Sequence, residues 1–321
     1  MNVPTPAHAL AVAAQVTGRR ALAATRFPTG LDHFVYEVRF ADGGPPIVAR
    51  LASAERAFCF RGAVHWYPML RDCGVPLPEL LYAELDERAH GFAVMLLERL
   101  PGIDLNDVYP SLTREQRCDL ANEIATFQCR VQALLPGPGF GYATSYEDPS
   151  LHASWLDLMR VDVARTRSRI TDERLVSQAL VDRIAAIVEQ HAAYFTAVRP
   201  LPFLDDTTTK NVIMHDGRMT GVVDADFLCF GDIAQLVGLV QTALISSGYE
   251  TDYVEFLADA LGLDAAQREA VSVYTLIFSA GFLAEVGHSF NREQPIAPDP
   301  DHVARLTGTS ERLLRELERG A

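Results

Sequence analysis

Three side chains in one short stretch have the types and spacing to bind a hard cation and move a proton. Residues 203–232 read FLDDTTTKNVIMHDGRMTGVVDADFLCFGD and hold Asp206, Asn211 and Asp224. Asp216-Gly217 lies between two apolar, β-prone runs, 212–214 and 219–223, and predicts a hairpin closed by a type I′ turn. Pairing about that turn sets opposite residues to sum to 433, so Asn211 faces Val222 and Asp224 is its diagonal neighbour. Diagonal neighbours on one sheet face stand roughly 7–8 Å apart, close enough to share one magnesium ion. Asp206, on the loop entering the hairpin, is then a carboxylate beside the cation that need not bind it. A metal that screens phosphate oxygens and a nearby acid that orients and deprotonates a hydroxyl are what phosphoryl transfer requires.

The elements that would carry these groups follow from the patterning. Apolar spacing over 7–16, closed by Gly18, predicts a helix. Phe34, Tyr36, Val38 and Phe40 alternate as a half-buried strand, and 47–51 is a second strand beyond the Asp42-Gly43-Gly44 turn. A helix over 55–70 should kink or end at Pro68. An apolar strand over 92–97 runs into Glu98-Arg99-Leu100-Pro101-Gly102. Thr113 and Gln116 form a capping box on a helix over 113–134, whose stripe Leu120, Ile124, Phe127, Val131 and Leu134 reads as core. Two long helices fill 151–198, parted near 170–172. Asp232 is placed to cap a helix over 233–246, Asp226 is a secondary cation or substrate contact, and further helices cover 253–263, 265–285 and 302–318. His288, Asn291 and Glu293 are candidate cleft residues.

Composition bounds the function. The chain of 321 residues carries a net charge of −14, which argues against binding a nucleic-acid backbone. No apolar stretch is long enough to span a bilayer, and the N-terminus lacks the basic region of a signal peptide, so a cytoplasmic protein is expected. The five cysteines are scattered without a CxxC pair, which indicates reduced thiols rather than zinc or a disulfide framework. Lys210 is the sole lysine and follows Thr209 rather than Gly, which excludes a Walker A loop. The GxG runs at 137–141 follow a helix rather than a strand, against a dinucleotide site.

The stretch resembles the catalytic region of aminoglycoside phosphotransferases and their choline-kinase-like relatives. That family reads H-G-D-x-x-x-x-N, a hairpin, then an acid after two apolar residues. Here Leu204-Asp205-Asp206, Asn211 and Val222-Val223-Asp224 keep the spacing, with Leu204 and Asp205 in place of His and Gly. Gly74-Val75-Pro76-Leu77-Pro78 and the 98–102 segment resemble two further family motifs. The resemblance implies an α+β, two-lobed protein-kinase-like fold. A small mixed β N-lobe (1–100) would bind nucleotide, and a larger, mainly helical C-lobe (101–321) would hold catalytic and substrate groups.

It also implies ATP (or GTP) and Mg²⁺ as cofactors and phosphorylation of a hydroxyl on a small molecule such as an aminoglycoside-like antibiotic, sugar or amino alcohol. Asp206 would be the catalytic base, and Asn211 and Asp224 the metal ligands. Arg50, in place of the strand lysine, Gly30, Lys210 and the backbone of Glu98 and Leu100 would contact nucleotide. The helix glutamate that pairs with the strand cation is replaced by Ala63, and Glu55 is the nearest upstream acid. An alternative reading is a pseudokinase that binds nucleotide or acts as a scaffold without turnover. A protein kinase is disfavoured because no activation segment follows Asp224. No nucleic-acid or membrane partner is expected, and oligomeric state is not set by the sequence.

Overall fold

The computed structural model describes residues 3–28, 33–290 and 294–320. Helix α1 (Pro6–Thr17) ends at Gly18, whose φ of 66° supplies the left-handed C-cap. Strands β1 (Ala21–Arg26), β2 (Phe34–Phe40) and β3 (Ile47–Ala52) follow, and then helix α2 (Ala57–Asp72). Strand β4 (Leu80–Glu84), the short α3 (Glu87–His90) and β5 (Ala93–Glu98) complete an antiparallel sheet of order β1-β2-β3-β5-β4.

The two-residue period of the strands sorts this sheet into two faces. Tyr36, Val38, Phe40, Ile47, Ala49, Leu51, Val94 and Leu96 pack under α1 against Ala9, Val12 and Ala13. The alternate residues Ala52, Ala93, Met95 and Leu97 pack against Phe60, Ala63, Trp66 and Tyr67 of α2. Arg50 and Glu37 belong by parity to that second face, opposite Val35 and Val48 respectively. Helix α2 continues through Pro68 to Asp72, so of the two expected outcomes, a kink or an end, the proline does not end the helix. Pro68 and Val64, whose carbonyl the ring displaces, both face solvent, where water can take the freed acceptor.

Beyond the sheet run β6 (Ile103–Asp104), α4 (Leu105–Val108), α5 (Arg114–Gln132), β7 (Gly141–Ala143) and α6 (Trp155–Arg169). The capping box of Thr113 and Gln116 is formed at the start of α5. Where two helices are expected over 151–198, a third short one appears: α7 (Gln178–Gln190) breaks at His191 into α8 (Ala192–Ala197). Strands β8 (Leu201–Phe203), β9 (Val212–His215), β10 (Arg218–Val222) and β11 (Leu228–Gly231) precede α9 (Ala234–Ser247), α10 (Asp252–Ala260), α11 (Ala265–Ala284) and α12 (Pro300–Gly320). Strands β10-β9-β6 and β7-β11-β8 form two small sheets on this helical body. The molecule is thus an antiparallel N-terminal lobe joined to a helical C-terminal lobe.

The β9–β10 ribbon ties the connecting segment down. Thr220 Oγ1 donates to Pro101 O at 2.7 Å, and Val222 N donates to Pro76 O at 2.9 Å. Gly102, at φ 114°, lies so close to the ribbon that an added Cβ would stand 2.1 Å from Met214 O. No other residue fits there.

Candidate active site

The hairpin forms as its sequence demands: Asp216 and Gly217 have φ of 49° and 74°, the pair of positive values a type I′ turn needs. Its register departs from the expectation. Arg218 pairs with His215 and Met219 with Met214, but a bulge then shifts the ladder, so that Gly221 meets Ile213 and Val222 meets Val212. Asn211 therefore faces Val223, whose N–H donates to Asn211 O at 2.8 Å, rather than Val222. Strict alternation would now send Asp224 to the opposite face. Instead β10 has ended, and Asp224 takes φ 65°, a left-handed turn that redirects its side chain. Asp224 lines one small cleft together with Asp205, Asp206, Thr207, Val223 and Phe227.

The loop that bears Asp206 is held by its own short-range bonds. Thr208 Oγ1 donates to Asp206 Oδ1 at 2.8 Å, and Asn211 Nδ2 donates to Asp206 O at 3.0 Å. The second bond uses the Asn211 amide nitrogen and holds this side chain on the Asp206 backbone; Asn211 is not among the residues lining the cleft. Desolvation of the carboxyl raises Asp206 above its ordinary range, the Thr208 bond opposes this, and Asp224 adds to it; the residue as a whole stays exposed to solvent, so the upward push is weaker than full burial would give. Burial, with Asp206 next, pushes Asp205 up to about 8.

One step before these acids, Leu204 is buried at the position of the family histidine. Its backbone is gripped by Gln128 of α5: Leu204 N donates to Gln128 Oε1 at 3.1 Å, and Gln128 Nε2 donates to Leu204 O at 2.6 Å. Sequence reading missed this residue. Its signal was a fully buried amide set among the apolar positions of the α5 stripe, between Ile124 and Val131.

From β3, Arg50 reaches Asp224, one of the residues lining that cleft. It is 5% exposed; Nη1 and Nη2 donate to the two oxygens of Asp226 at 2.7 Å each, and Nη2 also donates to Asp224 Oδ1 at 2.8 Å. Burial works against the guanidinium charge, but Asp226 and Asp224 outweigh it and hold the group firmly protonated. His33 Nε2 lies 3.3 Å from Asp226 Oδ2, and burial beside Arg50 lowers its pKa to about 3, so the ring is neutral and its Nε2–H donates. The acid that meets Arg50 thus comes from the loop after Asp224, while Ala63 is wholly buried and Glu55 is exposed ahead of α2.

The remaining sequence candidates are dispersed. Gly30, Asn291 and Glu293 lie outside the described residues. Lys210 is exposed, makes no side-chain hydrogen bond or ion pair among the described residues, and acts electrostatically on Asp104 and Glu285. Glu98 is exposed, and its backbone N–H donates to Glu79 O at 2.9 Å, which removes that donor from a nucleotide base. Leu100 O accepts from Arg99 Nη1 at 2.5 Å. His288 Nε2 lies 2.8 Å from Arg169 O. Asp232 accepts Ala234 N at 3.1 Å but stands one residue ahead of Ile233, the N-cap of α9, against the expected cap; it also accepts two tyrosine hydroxyls, Tyr194 and Tyr274.

A second cleft, of about 260 Å³, lies at the Asp216-Gly217 turn. Ser111, Gln116 and Asp216 are its polar groups, whereas the smaller cleft carries Asp205, Asp206 and Asp224 together. Among the described residues no group of three or more His, Cys, Asp or Glu could hold a metal. Mg²⁺ keeps several waters and takes phosphate oxygens as ligands, so a site for it needs fewer protein donors than three.

An antiparallel lobe, a short connector and a helical lobe with an acid-lined cleft define the class of kinase-like phosphotransferases. Residues 23–271 match the family model described as "Phosphotransferase enzyme family", and the chain belongs to that family. Among solved structures it is similar to aminoglycoside phosphotransferase APH(4)-Ia, at a TM-score of 0.69 and 16% identity over 96% of this chain and 98% of that one. It is also similar to the ADP-bound APH(2'')-Ib (TM-score 0.62, 15% identity, 94% and 98% covered). The third is a GDP and kanamycin complex of APH(2")-IIIa (TM-score 0.64, 14% identity, 97% and 98% covered). Likeness at such identities establishes a shared fold. No match was found among curated protein sequences. Family membership supports a small-molecule phosphotransferase that uses a nucleotide. Among the described residues no helix is long and apolar enough to cross a membrane.

Proposed function

We propose that this protein transfers the terminal phosphoryl group of ATP or GTP to a hydroxyl of a small molecule. The observation that carries the reading is the convergence of Asp206 and Asp224 on one cleft, with Arg50 bonded to Asp224 and the Asn211 amide bonded to the Asp206 backbone. In this reading Asp206 accepts the acceptor's proton. Thr208 holds its carboxylate in place by one oxygen and leaves the other for the substrate hydroxyl. Asn211 and Asp224 would hold Mg²⁺, which supplies charge neutralisation for the phosphates when bound. Arg50, and Lys210 from the exposed side of the loop, would meet phosphate oxygens. The lobes divide at the connector after Leu100, where the base would lie.

The acceptor class stays broad: an aminoglycoside-like antibiotic, a sugar or an amino alcohol. Support comes from structural neighbours, whose complexes contain AMP-PNP with hygromycin B, and GDP with kanamycin. The bond between Arg50 and Asp224 favours a second reading, a nucleotide-binding protein without turnover, because it ties the phosphate cation to the metal ligand. Asp224 is 52% exposed, however, so that bond is open to exchange.

A test is nucleotide consumption across a panel of hydroxylated compounds, for wild type and Asp206→Asn. Loss of a positioned base costs about 10²–10⁴ in rate, so the variant should bind Mg·nucleotide normally and turn over at least ~100-fold slower. Equal turnover would remove Asp206 from the mechanism. Nucleotide binding with no consumption in the wild type would favour the second reading.

A further inference from the structure

Kinase-like folds use an acid on the helix after the strand cation to hold that cation, and here the expected place is taken by Ala63, buried in the α2 core. We propose that Asp226 supplies the missing counter-charge and is a positioning residue: it holds the Arg50 guanidinium in the cleft so that its Nη2 edge, now on Asp224, is presented to a nucleotide phosphate. This rests on the nucleotide-phosphotransferase reading above.

Two of the guanidinium's three acid contacts are permanent in character and one is exchangeable. Asp226 is 3% exposed, and its two oxygens take Nη1 and Nη2 at 2.7 Å each, the fork-on-fork match that a guanidinium makes and an ammonium cannot. His33 donates to the same carboxylate, and the Phe60 ring lies 5.3 Å from the guanidinium carbon. The contact to Asp224 instead meets a carboxylate that is half open to solvent. A phosphate oxygen arriving there can replace it without disturbing the buried pair.

The helix still takes part, by another route. Helix α2 passes so close to the acid loop that a Cβ on Gly62 would stand 1.9 Å from Asp226 O. Glycine at this point lets the helix seat directly on the backbone of the residue that holds Arg50. The element that carries the acid in kinases here sets the height of the loop that carries it.

The test is a double-mutant cycle on the full chain with Asp226→Asn, Arg50→Met and the pair combined, read in two ways. In nucleotide-free buffer, Asp226→Asn should lower the melting temperature by leaving a buried cation with only the half-exposed Asp224 as counter-charge, and adding Arg50→Met should recover most of the loss. By calorimetry with Mg·ATP and Mg·GTP, each folded single variant should bind at least about tenfold more weakly. The double variant should fall within about threefold of the weaker single, because both act through one group. Losses that multiply in the double variant would mean that Asp226 contacts metal or nucleotide by itself. Unchanged melting in Asp226→Asn, or normal binding by a destabilised Asp226→Asn, would equally overturn the positioning role. Should the wild type bind neither nucleotide while the melting temperatures still couple, the nucleotide reading itself fails, and the pair is structural only.

Discussion

Asp205 stands where the family pattern has glycine, and its side chain has a consequence that the glycine could not. Burial and the adjacent Asp206 raise its carboxyl to about 8, against roughly 3.9 for an unfolded aspartate. Between those values the folded chain holds a proton that the unfolded chain releases. Stability contributed by Asp205 is therefore fully present below about pH 4 and is lost as pH rises toward 8. In magnesium-free buffer the wild-type melting temperature should fall between pH 5 and 8.5, whereas Asp205→Asn should show a flatter profile and melt higher at the alkaline end. A variant that tracks wild type through the range would show that Asp205 is ionised in the fold. Asp206, exposed and bonded to Thr208, shares the upward direction but has the solvent access a proton acceptor needs.

At the scale of elements, two irregularities put the acids where they are: the bulge within β10 and the left-handed turn at Asp224. The first moves Asn211 opposite Val223; the second redirects the next carboxylate as the chain leaves the ribbon. The companion element is α5, whose Gln128 satisfies both backbone groups of buried Leu204, two residues before Asp206. Gln128→Leu would leave a donor and an acceptor unpaired at a cost of about 1–3 kcal/mol each. Urea denaturation should show a loss of roughly 2–6 kcal/mol, and the surviving folded enzyme should turn over more slowly than wild type. Unaltered stability would mean that water replaces the amide. Leu204 is thus compatible with an ordered loop, because the scaffold contact comes from a helix rather than from a histidine in the loop.

Across the molecule, the connector between lobes is fastened from several sides. Arg99 donates to Leu100 O and to Gly102 O at 3.0 Å, and reaches Glu37 on the cleft face of β2 at 3.2 Å. Gly102 packs on β9, and Thr220 holds Pro101. The Glu37 contact is partly screened and adds little; the charged donor shared by two carbonyls is the larger contribution. Arg99→Ala should lower stability by about 1–2 kcal/mol and speed proteolysis within residues 98–102, with the melting temperature and cleavage pattern as the readouts. Cleavage at the wild-type rate would show that Gly102 and Thr220 suffice.

Much of this was legible in the chain because it depends on local rules. The Asp-Gly turn, the alternation in β2, the capping box of α5 and the Gly18 stop each arise within a few residues, and the structure carries all of them. Spacing proposed Asp206, Asn211 and Asp224 as a set, of which Asp206 and Asp224 line one cleft. What the local rules could not supply was contact between distant segments. The bulge moves the ladder by one residue where β10 packs on the Pro76 backbone, so closely that a Cβ on Gly221 would stand 2.2 Å from Pro76 O. Arg50 meets Asp226 across 176 positions, and Gln128 meets Leu204 across 76. A buried charge or a buried peptide must find a partner, but which residue becomes that partner depends on how the sheet, α2, α5 and the acid loop close on one another.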